Sequence, residues 1–468
     1  MSSETIPLLE EASSDDCEDV YSRFSPARKR TIVALVSWSA LLPMFASGTF
    51  VPSIPQIATD LNSTGPMISF AVSLSILASA MGAMVFATYS SFYGRRPVYL
   101  IGTPLLCIGS IGVALSNSVP EIMIWRLIQA LGTSGGMSVG AAVSRRYLQT
   151  HPTGDRNGYL LRCMPASLLG PALAPVAGGW GAHYASWRWT QISLAVWGLL
   201  AFFAILLFFP ETSHPGSRGI DKLRELEGKS PKRWVWVWLS PFASLSMLRS
   251  PNLLLATLAG AAVLITDYVL LMPVAYTVGV KYNITNEFLI GACFIPCGLG
   301  NIIGAPIAGW LSDRVVIASR TKYGTDIWRP ESRLIAALPG AMLPVPLSVL
   351  LSGLVTHFVE GKVGLILNLF CFFMNGIGVD LVLTPATAYA VDVVHERSAE
   401  DICSGLRAIV LAAATSGILP SIKHIGVLAT DVIATVIAWS AFVMIWVIIR
   451  YGQRMREWVD IGYPLKDV

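Results

Sequence analysis

Charged residues are scarce in this chain. Only 13% of its 468 residues are Asp, Glu, Lys or Arg, whereas 54% are hydrophobic. The mean hydropathy is +0.60. Average soluble domains contain about 25% charged residues, so this composition excludes the common soluble classes. The chain is apolar enough to belong in a membrane.

Residues that build metal centres and catalytic sites are also few. The six histidines fall in predicted loops or at helix ends, and none has the spacing of metal ligands. The seven cysteines fall mostly within apolar runs, where cysteine packs as a small hydrophobic residue. No nucleotide-binding glycine loop and no Ser-His-Asp pattern occurs. We therefore predict no enzyme activity, no metal and no cofactor.

Long apolar runs are abundant. A membrane-spanning helix needs about 20 mostly apolar residues, and twelve such windows occur, separated by short polar turns. The sequence thus predicts an all-α polytopic membrane protein with twelve transmembrane helices in two pseudo-symmetric six-helix bundles. The windows lie near residues 32–53, 67–90, 97–117, 119–144, 157–182, 187–209, 252–280, 287–312, 333–356, 363–390, 403–424 and 428–450.

The longest interruption separates the first six windows from the last six. We expect a disordered cytosolic N-terminal tail without a cleavable leader, a bundle, a cytosolic central loop, a second bundle and a cytosolic C-terminal tail. These five parts cover residues 1–30, 31–209, 210–251, 252–450 and 451–468. Within the loop, the Trp-rich segment 233–239 either lies at the membrane interface or packs as a strand-like stretch on helix ends.

Lysine and arginine are distributed unevenly between the two sides. One side holds 26 of the 33, the other side holds four, and three fall within spans. The positive-inside rule therefore places both termini in the cytosol. Two glycosylation sequons, at Asn62 and Asn283, fall on loops assigned to the outside. The net charge of +4 follows from this bias, so we predict no nucleic-acid partner.

Polar residues of the fourth window share one helical face. Arg126, Gln129 and Thr133 are spaced at 0, +3 and +7, which aligns them along one side of a helix. An ionised side chain near mid-membrane costs at least about 2.5 to 3.5 kcal/mol. Such a residue is a candidate functional group, and this face is a candidate cavity lining.

Further ionisable residues occur in the fifth, seventh and tenth windows. Arg162, Asp267 and Asp380 are candidates for proton coupling or substrate binding, and Thr384 follows Asp380 on the same helical face. Burial and nearby charges both change the proton affinity of a carboxylate, so its proton occupancy can depend on which side of the membrane is open. The alternative is a fixed ion pair, for instance between Arg162 and Asp267, that only holds helices together.

The balance of charges within the spans bears on the substrate. Arg407 makes a third in-span cation against two anions, which would favour an organic anion. That surplus disappears if Arg407 extends to the membrane interface, the reading we favour. Asn301 and Asn375 either line the path or only bond across helices.

Three motifs lie at fixed places in this pattern. The fifth window contains a Gly-Pro-rich stretch, Gly170, Pro171, Pro175, Gly178 and Gly179, which predicts a bend and close helix packing. Two loop motifs follow the second and eighth windows, 222 residues apart measured from Ser91 to Asp313. Their residues are Gly94, Arg95 and Arg96, and Gly309, Asp313 and Arg314.

Together these motifs resemble those of the major facilitator superfamily, most closely the fungal drug:proton antiporters with twelve spans. The resemblance covers residues 30–450 and includes segments 126–132, 330–334 and 391–392. It implies proton coupling at Arg126, an antiporter motif at residues 170–179 and a cytosolic gate at the two loop motifs. The chain departs from the family pattern at Ser91, where an acid is usual, and has Arg145-Arg146 where an acid often follows the fourth span.

The expected function is export of a small organic molecule in exchange for protons, by a monomer embedded in the lipid bilayer. A drug or toxic metabolite and an organic acid are nearly equal substrate classes, and a passive uniporter is third. A transporter-like receptor that senses a solute is the alternative from another class. We expect the plasma membrane. Glu4 followed by Leu8-Leu9 resembles a sorting signal that would favour a vacuolar or endosomal membrane instead.

Overall fold

The computed structural model describes residues 25–149, 156–213, 218–221, 237–239, 248–323, 329–394 and 398–458. These residues form helices, turns and short connections, with no strand among them. The prediction of an all-α polytopic protein is confirmed. The predicted disordered N-terminal tail, residues 1–30, lies outside the described residues except for residues 25–30.

Twelve long helices follow the order of the predicted windows. The first bundle contains α1 (Pro26–Gly48), α2 (Gly65–Tyr93), α3 (Arg95–Leu115), α4 (Val119–Gln149), α5 (Arg156–Tyr184) and α6 (Trp187–Phe208). The second contains α7 (Pro251–Leu271), α8 (Ile295–Tyr323), α9 (Pro344–Phe358), α10 (Gly361–Val394), α11 (Ser398–Ile425) and α12 (Val427–Trp458). Short helices cover Ile54–Asp60, Val278–Lys281, Glu287–Ala292 and Leu338–Met342, and a 3-10 helix covers Pro330–Ala337.

The two bundles repeat the same packing. In the first, α2 packs on α4, α3 packs on α4 and α6, and α1 packs on α5. In the second, α8 packs on α10, α9 packs on α10 and α12, and α7 packs on α11. Each contact of the first bundle thus recurs six helices later, which is the expected pseudo-symmetry.

Ten of the described helical segments are long and apolar enough to span a membrane. Among the described residues, α4 and α5 are not included in these ten segments. Both are nevertheless long, with 31 and 29 residues, and both pack among the spanning helices.

Three predicted spans are interrupted. The seventh window was predicted to run to residue 280, but α7 ends at Leu271, two residues before Pro273. The eighth begins as the short helix Glu287–Ala292 before α8 starts beside Pro296. The ninth is divided near Pro339 and Pro344. Proline lacks the backbone N–H that continues a helix, which a hydropathy window does not register.

Two helices extend past the predicted domain limits. Helix α1 begins at Pro26, inside the predicted tail, where the Ser25 side chain accepts a hydrogen bond from the Arg28 backbone N–H. Helix α12 continues to Trp458, eight residues beyond the predicted end, because Arg456 pairs with Glu331 at 2.8 Å and fixes the last turns.

Only part of the central loop is described. Within the Trp-rich segment, the Val237 backbone N–H donates to the hydroxyl of Tyr93 at the end of α2, at 2.9 Å. Val237 and Leu239 pack on a small cluster formed by Phe92, Tyr93 and Ile220, whereas Trp238 is 84% exposed. The described residues 237–239 therefore lie against the end of α2, and the rest of the segment lies outside the described residues.

Candidate functional site

Two acidic residues lie near each other in the second bundle. Asp267 on α7 and Asp380 on α10 are close enough to interact electrostatically, and the Cys297 thiol on α8 lies near both. Both residues are partly buried. The three helices that carry these residues therefore bring two of the sequence-predicted acids into one site.

Asp267 is held by neutral donors. Its Oδ1 accepts hydrogen bonds from Asn375 Nδ2 at 3.1 Å and from the Cys297 thiol at 3.2 Å. The Asn375 amide oxygen in turn accepts from Ser348 at 2.9 Å and Thr266 at 3.2 Å. Asn375 therefore bonds across helices and also positions Asp267. No cation contacts the Asp267 carboxylate among the described side chains.

Two buried acceptors of the same region lack donors. Within the described part of the chain, no group donates to Asp380 Oδ2 or to Asn301 Oδ1. Gly304 of α8 packs beside Asp380, and Gly376 of α10 packs beside Asn301, so the helices approach closely here. Thr384 is half-buried one turn beyond Asp380, and its side chain makes no hydrogen bond within the described ranges.

Arg126 of the first bundle lies in a neutral network. The side chain is 2% exposed, and its two amino groups donate to Ala46 O at 2.7 Å, Gln129 Oε1 at 2.8 Å and Ser75 Oγ at 3.0 Å. Its guanidinium lies 4.3 Å from the centre of the Phe50 ring. No carboxylate pairs with Arg126 in the ranges that the structure describes.

Gln129 extends this network, whereas Thr133 faces elsewhere. Gln129 Nε2 donates to Ser110 Oγ at 2.8 Å and to Gln191 Oε1 at 2.9 Å, linking α4 to α3 and α6. Thr133 lines a small void between α1, α3 and α4 and donates to Ala130 O at 2.8 Å. The shared helical face is therefore a packing interface within the bundle, and its Thr133 end meets a void.

Of the two remaining arginines within spans, the structure describes the side chain of Arg407 but not that of Arg162. The side chain of Arg162 lies outside the described part, so its predicted ion pair with Asp267 stays a prediction. Arg407 is 8% exposed, donates to Ser404 Oγ at 2.7 Å and packs on Gly260 of α7. The expectation that Arg407 extends to the interface is wrong, because the absent side chain at Gly260 makes room for it.

Asp431 is a buried acid that sequence reasoning missed. It is 3% exposed on α12 and packs against Gly353 of α9. Its position four residues into α12 makes it resemble an ordinary residue of a span end. The sequence signal that could have identified Asp431 is an acidic residue inside an apolar window. With Asp431 included, the spans hold three acids and three arginines, so the predicted cationic surplus disappears.

The Gly-Pro stretch of α5 forms close contacts with other helices. Helix α5 continues through Pro171 and Pro175 as one element. A side chain at Gly178 would meet the backbone of Thr49 after α1, and one at Gly179 would meet the backbone carbonyl of Glu287 in the second bundle. Gly178 therefore permits close backbone packing within the first bundle and Gly179 permits it between the bundles, while the predicted bend stays a prediction.

The bundles meet at the end that carries Asn62 and Asn283, here called the sequon end. His183 Nδ1 of α5 lies 2.9 Å from Glu287 Oε2, and residues of both bundles share one apolar cluster that includes Phe50 and Val269. Asn62 and Asn283 are exposed and adopt positive φ angles of 49° and 54°, a turn conformation that asparagine tolerates. The described contacts thus close the sequon end.

At the opposite end, Glu211 after α6 binds the start of α3. Its carboxylate accepts from the backbone N–H groups of Arg95 at 3.0 Å and Arg96 at 3.1 Å, and from Ser213. Gly94, at φ 107°, lets the chain turn beside this carboxylate. Burial alone would raise the pKa of Glu211, but the hydrogen bonds from Ser213, Arg95 and Arg96 together lower it.

Glu211 therefore supplies a carboxylate near the place where the family pattern has an acid. Ser91 itself is exposed and donates only to Ala87 O at 3.2 Å. The sequence comparison of loop motifs missed Glu211 because it lies more than 110 residues from its partners.

Arginine side chains make the charged contacts at the corresponding end of the second bundle. Arg333 pairs with Asp392 at 2.7 Å and reaches Asp313 only at 4.0 Å. Arg314 stacks over the Trp310 ring at 4.1 Å, and Gly309 has open space around its Cα. Asp313 is thus peripheral to this network, and its predicted gating role stays a prediction.

The fold and the buried polar residues define a polytopic membrane transporter. The sequence model described as Major Facilitator Superfamily matches residues 36–404, and the chain belongs to that family. Its fold is similar to that of a POT family transporter crystallised in complex with 5-aminolevulinic acid, with a TM-score of 0.61 and 14% identity over 91% of this chain and 96% of that one.

Fungal transporters are among the similar proteins. The chain is 25% identical to the efflux pump radE of Floropilus chiversii, over 92% of this chain and 82% of that protein. It is 25% identical to the MFS-type transporter tndD of Aspergillus flavipes, over 93% and 83%. The match to the MFS-type transporter phiD of Fungal sp. (strain ATCC 74256), at 26% identity, covers 68% of this chain but only 51% of phiD. The family and these relatives are transporters, not enzymes.

Proposed function

We propose that this transporter exports a small organic molecule in exchange for protons, by alternating access between its two bundles. The substrate would be a drug, a toxic secondary metabolite or an organic acid. The name of radE, an efflux pump, supports the direction of transport. The observation that carries the coupling is the Asp267 and Asp380 pair, two carboxylates within the spans that no described cation neutralises.

Unpaired charge in the membrane is costly, which gives these acids a reason to bind protons. Two ionised carboxylates near one another repel, and each ionised group within a span costs at least about 2.5 to 3.5 kcal/mol. A proton on one of them removes both penalties. When the site opens to the other side and meets water or substrate, the proton can leave.

Other residues would act through packing. Arg126 would hold α1, α2 and α4 together through its three hydrogen bonds, so we propose an indirect effect on coupling. Gly178 and Gly179 would keep the sequon end sealed while the other end is open. The positive-inside pattern supports cytosolic termini, which would put Asn62 and Asn283 on the outer side, where they could be glycosylated. The plasma membrane is the proposed location, with a vacuolar or endosomal membrane as the alternative.

Proton flux in vesicles tests this function. Purified full-length protein is reconstituted with a pH-sensitive dye inside, a proton gradient is imposed, and dicarboxylates and amphiphilic drugs are added in turn. We expect substrate-triggered proton flux in the wild type and its loss in Asp267→Asn. Asp431→Asn is the matched control, because it removes a buried acid of the same bundle outside the pair.

Three other results would separate the alternatives. Solute movement without proton flux in the wild type would indicate a uniporter. No movement of any solute would favour the solute receptor. Equal loss in Asp267→Asn and Asp431→Asn would mean that any buried acid of this bundle matters, and would remove the special role of the pair.

A further inference from the structure

We infer that Arg314, which stacks on Trp310 near the end of α8, binds the phosphate of an anionic phospholipid. The lipid belongs to the leaflet on the side of the chain termini, which is the cytosolic leaflet in the proposed orientation. The family resemblance assigns Arg314 to a cytosolic gate, whereas its surroundings in the structure favour a contact with the bilayer. Such a contact requires neither a particular substrate nor proton exchange.

Exposed residues of α8 follow one side of the helix. Successive members are three or four residues apart, which aligns them along a single helical face. The apolar members are between 44% and 65% exposed. The segment that contains them, Glu287–Ser319, is long and apolar enough to span a membrane, so this face is suited to contact lipid. This face is here called the α8 stripe, and its members are Leu299, Ile303, Ile307, Trp310, Arg314 and Ile317.

Two other sides of α8 are occupied by helix packing. Gly300 and Gly304 lie against α10, and Gly298 lies against Ala172 of α5 in the first bundle. On a helix with 3.6 residues per turn, the α8 stripe falls on the third side. Arg314 is exposed on that third side, away from the contact between the bundles.

Trp310 lies at the depth expected for the headgroup level. It follows Glu287, at the sequon end, by 23 residues. At 1.5 Å per helical residue this separation is about 35 Å, whereas the hydrocarbon core of a bilayer is about 30 Å thick. Tryptophan prefers the boundary between hydrocarbon and headgroups. Arg314, one turn further along α8, therefore lies among the headgroups.

The guanidinium of Arg314 is positioned to bind a phosphate. Its Cζ lies 4.1 Å from the centre of the Trp310 ring, and this cation–π contact holds the side chain in the α8 stripe. The close ion pairs described at this end of the bundle involve Arg333 and Arg456 instead. Arginine presents its N–H donors in a planar fork that matches the oxygens of a phosphate.

The combination of charge and apolar surface favours a lipid over a free anion. Inorganic phosphate could bind the guanidinium but would leave Ile303 and Ile307 without a partner, whereas the acyl chain of a lipid covers them. Near an anionic membrane surface, each lysine or arginine strengthens binding by about fivefold. A zwitterionic lipid also has a phosphate, but its cationic headgroup offsets that attraction.

Two photoactivatable lipids test the inference. Purified full-length protein is reconstituted in phosphatidylcholine vesicles that contain a small fraction of either phosphatidylserine or phosphatidylcholine with the same diazirine-labelled acyl chain. Peptide mass spectrometry after illumination measures the labelling of residues 299–323. We expect the phosphatidylserine probe to label this segment about fivefold more than the phosphatidylcholine probe. Excess inorganic phosphate at constant ionic strength should not reduce this labelling.

Variants then locate the contact. Arg314→Gln should lower phosphatidylserine labelling of the segment to the phosphatidylcholine level, and Trp310→Leu should lower it about twofold. Arg314→Lys should keep at least about half of the preference, because it keeps the charge. Lys423→Gln is the matched control, since it removes an exposed positive charge at the sequon end and should leave the labelling unchanged.

Four results would overturn the inference. They are equal labelling of the wild type by the two probes, a preference that persists in Arg314→Gln, equal loss in Arg314→Lys and Arg314→Gln, and displacement by inorganic phosphate. The last result would assign the guanidinium to a free anion. The wild-type comparison decides the matter even if a variant fails to fold. Proton flux in vesicles is measured separately, so failure of the lipid contact and failure of the proposed antiport are distinguishable.

Discussion

The two bundles share a packing scheme but differ in how many hydrogen-bond partners their buried charged residues have. In the first, Arg126 makes hydrogen bonds to neutral groups on α1, α2 and α4, and Gln129 continues the network to α3 and α6. In the second, Asp267 on α7 and Asp380 on α10 interact electrostatically, and no described group donates to Asp380 Oδ2. The first arrangement stabilises a bundle, whereas the second leaves a carboxylate oxygen that can take up a proton.

The difference indicates that the two repeats of one fold can take different roles, one in stability and the other in transport. Both amino groups of Arg126 already donate to neutral partners, although its Nε has no acceptor among the described residues, so the first bundle can act as a stable support. A charge pair without neutralising partners is sensitive to what enters the site. Substitutions that remove charge should therefore affect stability in the first bundle and transport in the second.

Removing Arg126 should produce the largest change in stability. Arg126→Ala loses three charge-assisted hydrogen bonds and leaves Ser75 and Gln129 without this donor. Since such bonds contribute about 1.5 to 3 kcal/mol each, we expect a loss of at least about 3 kcal/mol in unfolding free energy. Denaturant unfolding in detergent measures it.

The matched substitution in the second bundle is Asp380→Asn. It removes a charge whose Oδ2 accepts no hydrogen bond from the described residues, so we expect a change below about 1 kcal/mol. If Asp380→Asn destabilised the protein as much as Arg126→Ala, the contrast between the bundles would be lost.

The pH dependence of stability should distinguish Glu211 from other acids. Hydrogen bonds lower the pKa of Glu211 in the folded protein, so its contribution is present above the ordinary glutamate pKa and is lost as pH falls through the folded value. Glu211→Gln should remove this acid-dependent part, about 1 kcal/mol, comparable to loss of a helix cap. Unfolding midpoints measured between about pH 7 and pH 3 report it.

Glu360→Gln is the matched control, because Glu360 is 87% exposed and lies 3.6 Å from Lys281. It should leave the pH profile of unfolding unchanged. An identical pH profile for Glu211→Gln and the wild type would mean that the contact with α3 contributes nothing.

The smallest effect should come from the end of the second bundle. Arg333→Ala removes the 2.7 Å pair with Asp392 and should cost about 1 kcal/mol. Asp313→Asn changes a residue that is 74% exposed and 4.0 Å from Arg333, so it should cost less than about 0.5 kcal/mol. A loss of unfolding free energy that is larger for Asp313→Asn than for Arg333→Ala would mean that Asp313 is central to this network. Thermal unfolding of both variants makes the comparison.

Patterns within one helix were predictable, and contacts between distant segments were not. Twelve apolar windows indicated twelve helices, and Arg126, Asp267 and Asp380 were evident because ionisable residues are rare in such runs. Glu211 was missed since its partners are backbone groups of a distant helix. The position of the Arg407 side chain was predicted wrongly because the space for it depends on Gly260 of α7. No local sequence pattern reveals this contact with a distant helix.

The proton-to-substrate ratio in vesicles tests most directly whether the second bundle carries the exchanged proton. It is measured for the wild type, Asp267→Asn, Asp380→Asn and Arg126→Lys, which keeps a positive charge in the first bundle. We expect Arg126→Lys to keep the wild-type ratio while both Asp variants lose proton movement. Proton movement that persists in both Asp variants but is lost in Arg126→Lys would contradict that assignment and place the coupling in the first bundle.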